Sequence, residues 1–444
     1  MKGRDVSRRQ FLKNSTLGLM GAGIASRLAA ETLEVDKEEK QSAAPATVKT
    51  FRKLGRTGFM TTDLGSGRPT SAAVLNALLD AGVNYIDTAE SYSNGKSETW
   101  TGQALKNRER KSYFITSKLQ IKKGESKESI LRRTRKCLER LDTPYLDCMM
   151  IHSAPSVESL KHPGFHAAMK QLKTEGKVRF LGVSNHGSRH WGYEAEPMDK
   201  ILIAAARDGR FDVLLLAYNF IQREMGERIL EVCKKKNIGV TLMKTNPVGK
   251  YMGIKAQVEA FEKQHKEAPQ DLLVYMKQLK KSAAEGEVFI KKYHLEKSSE
   301  IRAAATRFVL SHPDVSNVLC RCDNFEDVEQ FVPVSGTTLN RAEQRKLSAF
   351  IQGPGRLYCR HACGICETGC PHGVPVNTIM RYNHYFEAQR LEKYAMRKYD
   401  ALQNRAEKCT SCKGGCQERC PYDVPIRGLL TLAHQRLSIE YPSV

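Results

Sequence analysis

The sequence predicts an α/β protein, an eight-unit (β/α)8 barrel of the TIM type followed by a small α-helical domain. Near-continuous apolar runs alternate with amphipathic helical patterns along most of the chain, and polar residues follow the ends of several runs. Eight of the thirteen cysteines fall in the last 86 residues. The alternation of apolar runs with amphipathic helices is typical of buried parallel strands covered by helices, and about eight such units close into a barrel. With 444 residues, the chain has room for a large core and a second domain.

The N-terminal 30 residues are predicted to be a twin-arginine export signal. Arg8 and Arg9 are followed by Phe-Leu-Lys and then by the apolar run of residues 17–25. A basic helix start in a soluble protein is the alternative. Residues 31–47 are charged and then rich in Ala and Pro, which is typical of a linker. The sequence thus predicts a periplasmic protein whose export partner is the twin-arginine translocase, and a retained signal would anchor it to the membrane.

The formal net charge is +22, from 71 Lys and Arg against 49 Asp and Glu. The predicted signal holds six Lys or Arg and one Asp, so its removal leaves +17. The remaining excess predicts a solvated basic surface, which could also attract an anionic surface or an acidic partner. No compact basic run is interleaved with aromatic residues, so the sequence predicts no nucleic-acid partner.

The barrel is predicted over residues 48–352. The stretch FRKLGRTGFMTTDL predicts a hairpin and the first strand, and SAAVLNALLDAG has apolar residues at helical spacing. The same alternation continues through YFITSK, YLDCMMI, VRFLGVS, VLLLAY and GVTLMK, each preceded by a helical pattern. Residues 250–300, rich in Lys, Glu and Gln, predict a mostly helical insertion. The stretch TLNRAEQRKLSAFI then closes the domain as a helix.

Four polar residues follow three of the predicted strands. Asp87 ends one apolar run and Tyr92 comes five residues later, in NYIDTAESYSNGKSE; Lys118 and His152 end the next two runs. The carboxyl ends of barrel strands face a common site, so these side chains are expected to meet. Taken singly, the simpler interpretations are a loop tyrosine, a core histidine and solvated strand ends. Their order and spacing together favour one catalytic site.

These residues resemble the aldo/keto reductase family in its D-x-x-x-x-Y loop, the lysine after the next strand and the histidine after the one following. GKVRFLGVSNH matches a further family motif. The resemblance implies interconversion of a small carbonyl and an alcohol, with Tyr92 as general acid/base. Lys118 would lower the pKa of Tyr92, and Asp87 would keep Lys118 charged and aimed. His152 would hydrogen-bond the substrate oxygen.

The resemblance also implies NADP(H) as cofactor. Ser184 and Asn185 match the pair that holds the nicotinamide carboxamide in the family, and Tyr218 lies at the next strand end. Arg321 would meet a ribose phosphate, and the helix beginning near Asn324 would meet the pyrophosphate with its free amides. The stretch VLCRCDNFEDVEQ departs from the Pro-Gly common in the family. This departure leaves an alternative function, a non-nicotinamide electron-transfer or binding protein on the same scaffold.

Residues 353–444 carry a cysteine motif twice, as C-x3-C-x2-C-x3-C-P and C-x2-C-x3-C-x3-C-P, followed by the similar tails PHGVPV and PYDVPI. Three pairs of these cysteines are fifty residues apart, which indicates a duplicated unit. Short spacings that end in Cys-Pro suit thiolates converging on an iron–sulfur cluster. The predicted ligands are Cys359, Cys363, Cys366, Cys370, Cys409, Cys412, Cys416 and Cys420.

This segment resembles dicluster ferredoxin-like domains of the α-helical variety, which implies two [4Fe–4S] clusters and a redox partner protein. In the two-cluster pattern the fourth cysteine serves the other cluster, so Cys370 would join the first three cysteines of the second motif, and Cys420 those of the first. Disulfides and a zinc site are the alternatives. The twin-arginine route carries folded proteins with cofactors inserted. The sequence therefore predicts an exported oxidoreductase coupled to electron transfer.

Overall fold

The structure, a computed structural model, describes residues 46–186, 196–247, 270–295, 297–387, 389–409 and 411–439. The described residues form one compact unit. The predicted export signal and nearly all of the predicted linker lie outside the described residues. Among the helices that are described, none has the length and apolar composition needed to cross a membrane.

The described strands form a small antiparallel hairpin and a closed barrel. They are β1 (Phe51–Lys53), β2 (Met60–Thr62), β3 (Leu64–Gly67), β4 (Tyr85–Asp87), β5 (Phe114–Leu119), β6 (Leu146–Ile151), β7 (Val178–Asn185), β8 (Val213–Ala217), β9 (Gly239–Met243) and β10 (Asn317–Cys320). β1 pairs with β2, and the barrel runs from β3 to β10 in chain order, every neighbour parallel, with β10 closing on β3. The predicted eight-stranded parallel barrel is confirmed.

Each barrel strand is joined to the next one along the chain by at least one of the described helices. The described helices are α1 (Ala72–Asp80), α2 (Lys96–Leu105), α3 (Lys127–Leu141), α4 (Pro163–Thr174), α5 (Met198–Asp208), α6 (Glu224–Lys235), α7 (Gln270–Lys292), α8 (Ser298–Leu310), α9 (Phe325–Phe331), α10 (Arg341–Gln352), α11 (Val376–Glu387), α12 (Glu392–Asp400), α13 (Gly415–Glu418) and α14 (Ile426–Leu437). α7 lies in the predicted insertion, whose residues 250–269 are outside the described ranges.

The helices follow from local sequence. In α3 the side chain of Ser126 caps the first turn by accepting from the Ser129 amide, and the buried residues recur every three or four positions. α10 begins with a capping box between Asn340 and Glu343. α3 therefore presents one apolar face to the barrel core.

The amino-terminal end of the barrel is closed by apolar side chains. Tyr85, Phe114 and Val213 each open their strand and pack inside the barrel with Leu54, which follows the hairpin strand β1 and is fully buried. The carboxyl ends of the strands carry the polar residues. The fold thus separates a packed end from a polar end, where a site can form.

The C-terminal segment, residues 353–444, packs directly against the barrel. Its own apolar cluster includes Ile379 and Leu430 and takes in Leu279 from α7. Ala362 and Cys363, by contrast, belong to the main core of the barrel. Packing therefore continues across the predicted boundary between residues 352 and 353.

Candidate active site

Asp87 and Lys118 form a buried ion pair at the carboxyl ends of β4 and β5. Register pairs Asp87 with Thr116, and Lys118, two residues further along, points to the same face. Its Nζ donates to Asp87 Oδ1 at 2.5 Å and to the Thr88 carbonyl at 2.6 Å. Burial lowers the pKa of Lys118, but Asp87 and then Tyr92 raise it, and the net direction is upward. The ammonium therefore stays charged.

Tyr92 opens a short turn above this pair. Ser93 and Asn94 have φ of 52° and 55°, which folds the loop back over the strand end. Lys118 Nζ lies 4.8 Å from the centroid of the Tyr92 ring, and Arg68 Cζ lies 5.4 Å from it. Burial raises the pKa of Tyr92 by more than Lys118 lowers it. The net shift is thus opposite to the sequence expectation, because loss of hydration penalises the phenolate.

His152 follows β6 and lies beside the tyrosine. The two rings meet edge to face, with centroids 5.5 Å apart. Burial, then the charges of Lys118 and Arg381, lower the pKa of His152 well below its ordinary value. Its Nδ1 is buried without a hydrogen-bond partner. His152 is therefore a neutral imidazole beside the Tyr92 ring.

His186 is a second buried histidine, 6.2 Å from His152 between ring centroids. Arg381 Nη1 lies 3.2 Å from His186 Nδ1. A guanidinium can only donate, so Nδ1 accepts and the ring proton is on Nε2, which donates to Ser153 Oγ at 3.1 Å. His186 was visible in the sequence only as the last residue of the family motif.

Ser184 and Asn185 end β7 and are both fully buried. Ser184 Oγ accepts from the Ser153 amide at 2.9 Å, and Asn185 Nδ2 donates to the Ala154 carbonyl at 2.5 Å. Asn185 Oδ1 is buried and has no partner. An unpartnered carbonyl oxygen here fits the amide N–H of a nicotinamide carboxamide.

Tyr218 directly follows β8, but the structure does not bring it to the other predicted residues. Its hydroxyl donates to Glu227 at 2.7 Å, and its ring stacks on Phe308 with centroids 6.1 Å apart. Gly226 leaves the space that the ring occupies, since a Cβ there would collide with it. Tyr218 therefore packs against α6 and α8, outside the barrel.

Arg321 and Asn324 lie in the loop after β10. Arg321 Nε donates to Asp323 at 2.8 Å, and the Asn324 side chain caps α9 by accepting from the Asp327 amide at 2.8 Å. Asp327 Oδ2 in turn accepts from the Asp323 amide at 2.9 Å. Two carboxylates thus stand at the helix start that was expected to meet phosphates, and they disfavour an anion there.

The predicted catalytic residues Asp87, Tyr92 and His152 line a cavity of about 540 Å³ whose wall comes from two parts of the chain. The barrel supplies Asp87, Tyr92, His152, Arg68 and Arg321. The C-terminal segment supplies Arg381, Tyr382, His384, Tyr385, Gln389, Leu391, Tyr394 and Arg397. Sequence reasoning missed this second group, because the stretch between the two cysteine motifs shows only a helical pattern.

Hydrogen bonds fix the cysteine-rich segment to barrel loops. Gln222 Nε2 donates to the His361 carbonyl and its Oε1 accepts from the His361 amide, both at 2.7 Å. Asn219 Nδ2 donates to the Tyr358 hydroxyl at 3.1 Å. The Ala362 carbonyl accepts from the amide of Met198, which begins α5, at 2.9 Å. The first cysteines of this segment therefore lie close to the loops at the carboxyl ends of the barrel strands.

The structure gathers the eight predicted ligands into two neighbouring groups. One small cavity is lined by Cys370 together with Cys409, Cys412 and Cys416. In the other group, Cys363 interacts electrostatically with Cys420, and Cys366 interacts with Cys359 and Cys363 but also with Cys416 of the first group. The first group matches the exchange of the fourth cysteines, and which cysteines share a cluster stays a prediction.

Within the described ranges, no three His, Cys, Asp or Glu side chains converge tightly enough to hold a single metal ion. A cubane is bound at four different iron corners, so its sulfur ligands stand farther apart than those of one ion. The thiols are the donors that such clusters use. Burial first, and neighbouring thiols second, raise the pKa of Cys409 to about 12 and that of Cys416 to about 11.

Comparison with known proteins places this site in a family. The model of the aldo/keto reductase family matches residues 54–352. The chain is 25% identical over 305 residues to the aldo-keto reductase YhdN of Bacillus subtilis strain 168, covering 65% of this chain and 85% of that protein. It is 27% identical over 219 residues to the NADH-specific methylglyoxal reductase of Escherichia coli K12, covering 42% and 62% respectively.

Among solved structures, the aldo-keto reductase AKR11C1 from Bacillus halodurans in its holo form is similar at 19% identity and a TM-score of 0.47, over 68% of this chain and 95% of its own. The family match ends at residue 352 and leaves the cysteine motifs outside it. It covers more than half of the chain and all eight barrel strands. The chain belongs to the aldo/keto reductase family and is an oxidoreductase of that type.

Proposed function

We propose that this protein is an exported oxidoreductase whose barrel interconverts a carbonyl and an alcohol, with Tyr92 as general acid/base, and whose two [4Fe–4S] clusters exchange electrons with a partner protein. One observation carries the catalytic part: the buried Asp87–Lys118 pair lies beneath Tyr92, and a neutral His152 lies at the edge of its ring. Family membership supports the reaction type.

Reduction of a carbonyl puts negative charge on its oxygen, and Tyr92 would donate a proton to that oxygen. Its raised pKa keeps the proton on the phenol until the charge develops. Lys118, held charged by Asp87, would stabilise the phenolate that remains. His152 would hydrogen-bond the same oxygen and orient the substrate. General acid catalysis of this kind contributes about 10²- to 10⁴-fold.

The family commonly binds NADP(H), which when bound supplies the hydride. Two features support its nicotinamide end: the unpartnered Oδ1 of Asn185 and the neighbouring Ser184. At the phosphate end, Arg321 lines the cavity but already pairs with Asp323. The residues present therefore fit the nicotinamide better than they fit the phosphates.

The test uses full-length protein purified without oxygen. Titration with NADPH, followed by nicotinamide fluorescence, should show saturable binding to the native protein and to Tyr92→Phe. Carbonyl turnover should fall by about 10²- to 10⁴-fold in Tyr92→Phe, because only the proton donor is lost. Tyr145→Phe, outside the cavity, is the matched control and should keep full turnover. Unchanged turnover in Tyr92→Phe would contradict the assignment.

Two observations favour a second candidate, a non-nicotinamide electron-transfer or binding protein on the same scaffold. Tyr218 packs outside the barrel, and Asp323 and Asp327 occupy the start of α9. The same titration separates the candidates. If NADPH does not bind while the cysteine-rich segment is redox-active, the second candidate replaces the first.

The cluster proposal is supported by the two groups of thiols, one of which lines a single cavity. Thiolate ligands in two motifs ending in Cys-Pro are the chemistry that [4Fe–4S] clusters need. Anaerobically purified protein should then carry about eight iron and eight sulfide per chain. Zinc in place of iron would contradict the proposal.

The export proposal rests on Arg8 and Arg9, which lie outside the described residues. Replacing both with lysine should keep the protein in the cytoplasm with unchanged iron content, because a twin-arginine pair is a receptor-read address. Arg4→Lys is the control and should leave export intact. Unchanged periplasmic recovery of the double variant would show that these residues are not an export signal.

A further inference from the structure

We infer that the C-terminal segment completes the substrate pocket, and that Arg68 and Arg381 together bind an oxyanion, a carboxylate or a phosphate, that the substrate carries near its carbonyl. This inference rests on the proposed carbonyl site and adds the class of substrate. It gives the cysteine-rich segment a second role, in recognition as well as electron transfer.

Arg381 comes from α11 and reaches into the barrel mouth. Its side chain lines the cavity, although only 4% of the residue is exposed. Among the described residues, its Nη1 bonds only the neutral ring and the backbone carbonyl of His186, and its Nε is buried without a partner there. Within the described residues, no carboxylate lies within ion-pair distance. The positive charge of Arg381 nevertheless acts on the proposed site, because it lowers the pKa of both His152 and His186.

Arg68 lines the same cavity from the loop after β3. Its guanidinium carbon lies 5.4 Å from the Tyr92 ring centroid. Its Nη1 donates to the side-chain oxygen of Gln389, a neutral partner from the C-terminal segment, and its Nε is buried without a partner. The backbone of Arg68 adopts a left-handed conformation with φ of 55°, a strained state that clusters at functional sites.

The carboxylates in the described cavity wall are already paired with other cations. Asp87 pairs with Lys118, Asp323 with Arg321 and Asp327 with Arg302. None of the three is within ion-pair distance of the two inferred arginines. Removing two cations from water without a counter-ion is costly, and a ligand oxyanion would remove that cost. The planar guanidinium fork matches a carboxylate or phosphate with two parallel hydrogen bonds.

The location indicates a substrate group rather than a cofactor phosphate. Arg68 lies over Tyr92, and Arg381 bonds the histidine that packs beside His152. Both arginines are therefore at the end of the cavity where proton transfer is proposed. An oxyanion held there would belong to the substrate that reacts, as in a short oxo acid or a phosphorylated carbonyl.

Matched pairs of charged and neutral probes test the inference by calorimetry on the full-length protein. Pyruvate is compared with pyruvamide, and dihydroxyacetone phosphate with dihydroxyacetone. We expect the charged member of at least one pair to bind about 10- to 100-fold more tightly, as charge-assisted hydrogen bonds do. The pair with the larger difference identifies the oxyanion. Equal affinity within both pairs would overturn the inference.

Arg68→Gln and Arg381→Gln should each reduce this preference about 10- to 100-fold while changing the affinity for the neutral probe by less than about twofold. Arg356→Gln is the control, because this exposed arginine of the same segment does not line the cavity. If Arg381→Gln does not fold, Arg68→Gln and Arg381→Lys carry the test. A variant that weakens charged and neutral probes equally would contradict the assignment.

Turnover of the same probes with NADPH keeps the two proposals distinct. Selective binding of a charged probe without any carbonyl turnover would leave the anion site and remove the proposed reaction. Turnover that ignores the charge of the probe, and does not change in Arg68→Gln, would leave the reaction and remove the anion site.

Discussion

The barrel and the cysteine-rich segment hold their functional side chains in different ways. In the barrel, Asp87, Lys118 and Asn185 lie within strands, where bonds to both neighbouring strands fix the backbone. Of the eight predicted cluster ligands, six lie outside helices and strands, and Cys409 and Cys416 lie in helices of four residues. Paired strands therefore hold the side chains of the barrel site, whereas most of the cysteines lie in turns.

This difference predicts different consequences when a side chain is lost. A substitution in the barrel site should remove a reactive group or one partner of an ion pair and leave the backbone in place. A cysteine substitution should remove a cluster, and with it the cross-link that the cluster provides between distant turns. The hydrogen bonds that join the two regions should show intermediate effects.

The largest expected effect is that of Lys118→Met. It should lower turnover by about 10²- to 10⁴-fold, because the phenolate loses its stabilising charge. It also leaves Asp87 as a buried carboxylate without a partner, which should cost about 3–5 kcal/mol in the free energy of unfolding. The double variant Asp87→Asn/Lys118→Met should regain stability but not activity. Full turnover in Lys118→Met would contradict the interpretation that these strands hold the side chains needed for catalysis.

The second prediction concerns the cluster ligands. Cys370→Ala and Cys409→Ala should each reduce the iron content from about eight to about four per chain, since each removes a ligand from one cubane. If both serve the same cluster, the double variant should also retain about four. Iron analysis decides the matter. A double variant with almost no iron would mean that each motif holds its own cluster.

A smaller effect is expected at the junction. Gln222→Ala removes the two hydrogen bonds that the Gln222 side chain makes with the amide and the carbonyl of His361, which should cost about 1–3 kcal/mol. Amide hydrogen exchange should rise at residues 358–362 and stay unchanged in the barrel strands. Gln171→Ala, which loses only a surface bond to Glu175, is the control. Unchanged exchange at the junction would show that other contacts suffice.

The smallest effect is a dependence of stability on pH. Burial lowers the folded-state pKa of both His152 and His186 well below 6.5. As the pH falls below about 6.5, the unfolded chain binds protons that the folded chain does not, so stability falls by about 1.4 kcal/mol per pH unit for each histidine. Above that pH their contribution is constant. Denaturation at pH 7 and 5.5 should show a smaller loss in His186→Asn than in the native protein, while His294→Asn, at an exposed position, should match the native protein.

By itself, the sequence determined the barrel and the order of its candidate catalytic residues. Strand and helix periodicity is local, and a polar residue that ends an apolar run shows where a strand emerges. Asp87, Lys118 and His152 therefore lie where the pattern predicts, and the cysteine spacing marked the second region equally well.

Only the tertiary structure decided what surrounds those residues. The net rise in the pKa of Tyr92 depends on burial that no local pattern encodes, and Tyr218 turns outward because α6 and α8 offer its ring a packing site. Arg381 meets His186 across 195 residues of chain, and Arg68 meets Gln389 across 321. Contacts at such separations arise only when the whole chain is packed, because nothing in either local segment specifies the other.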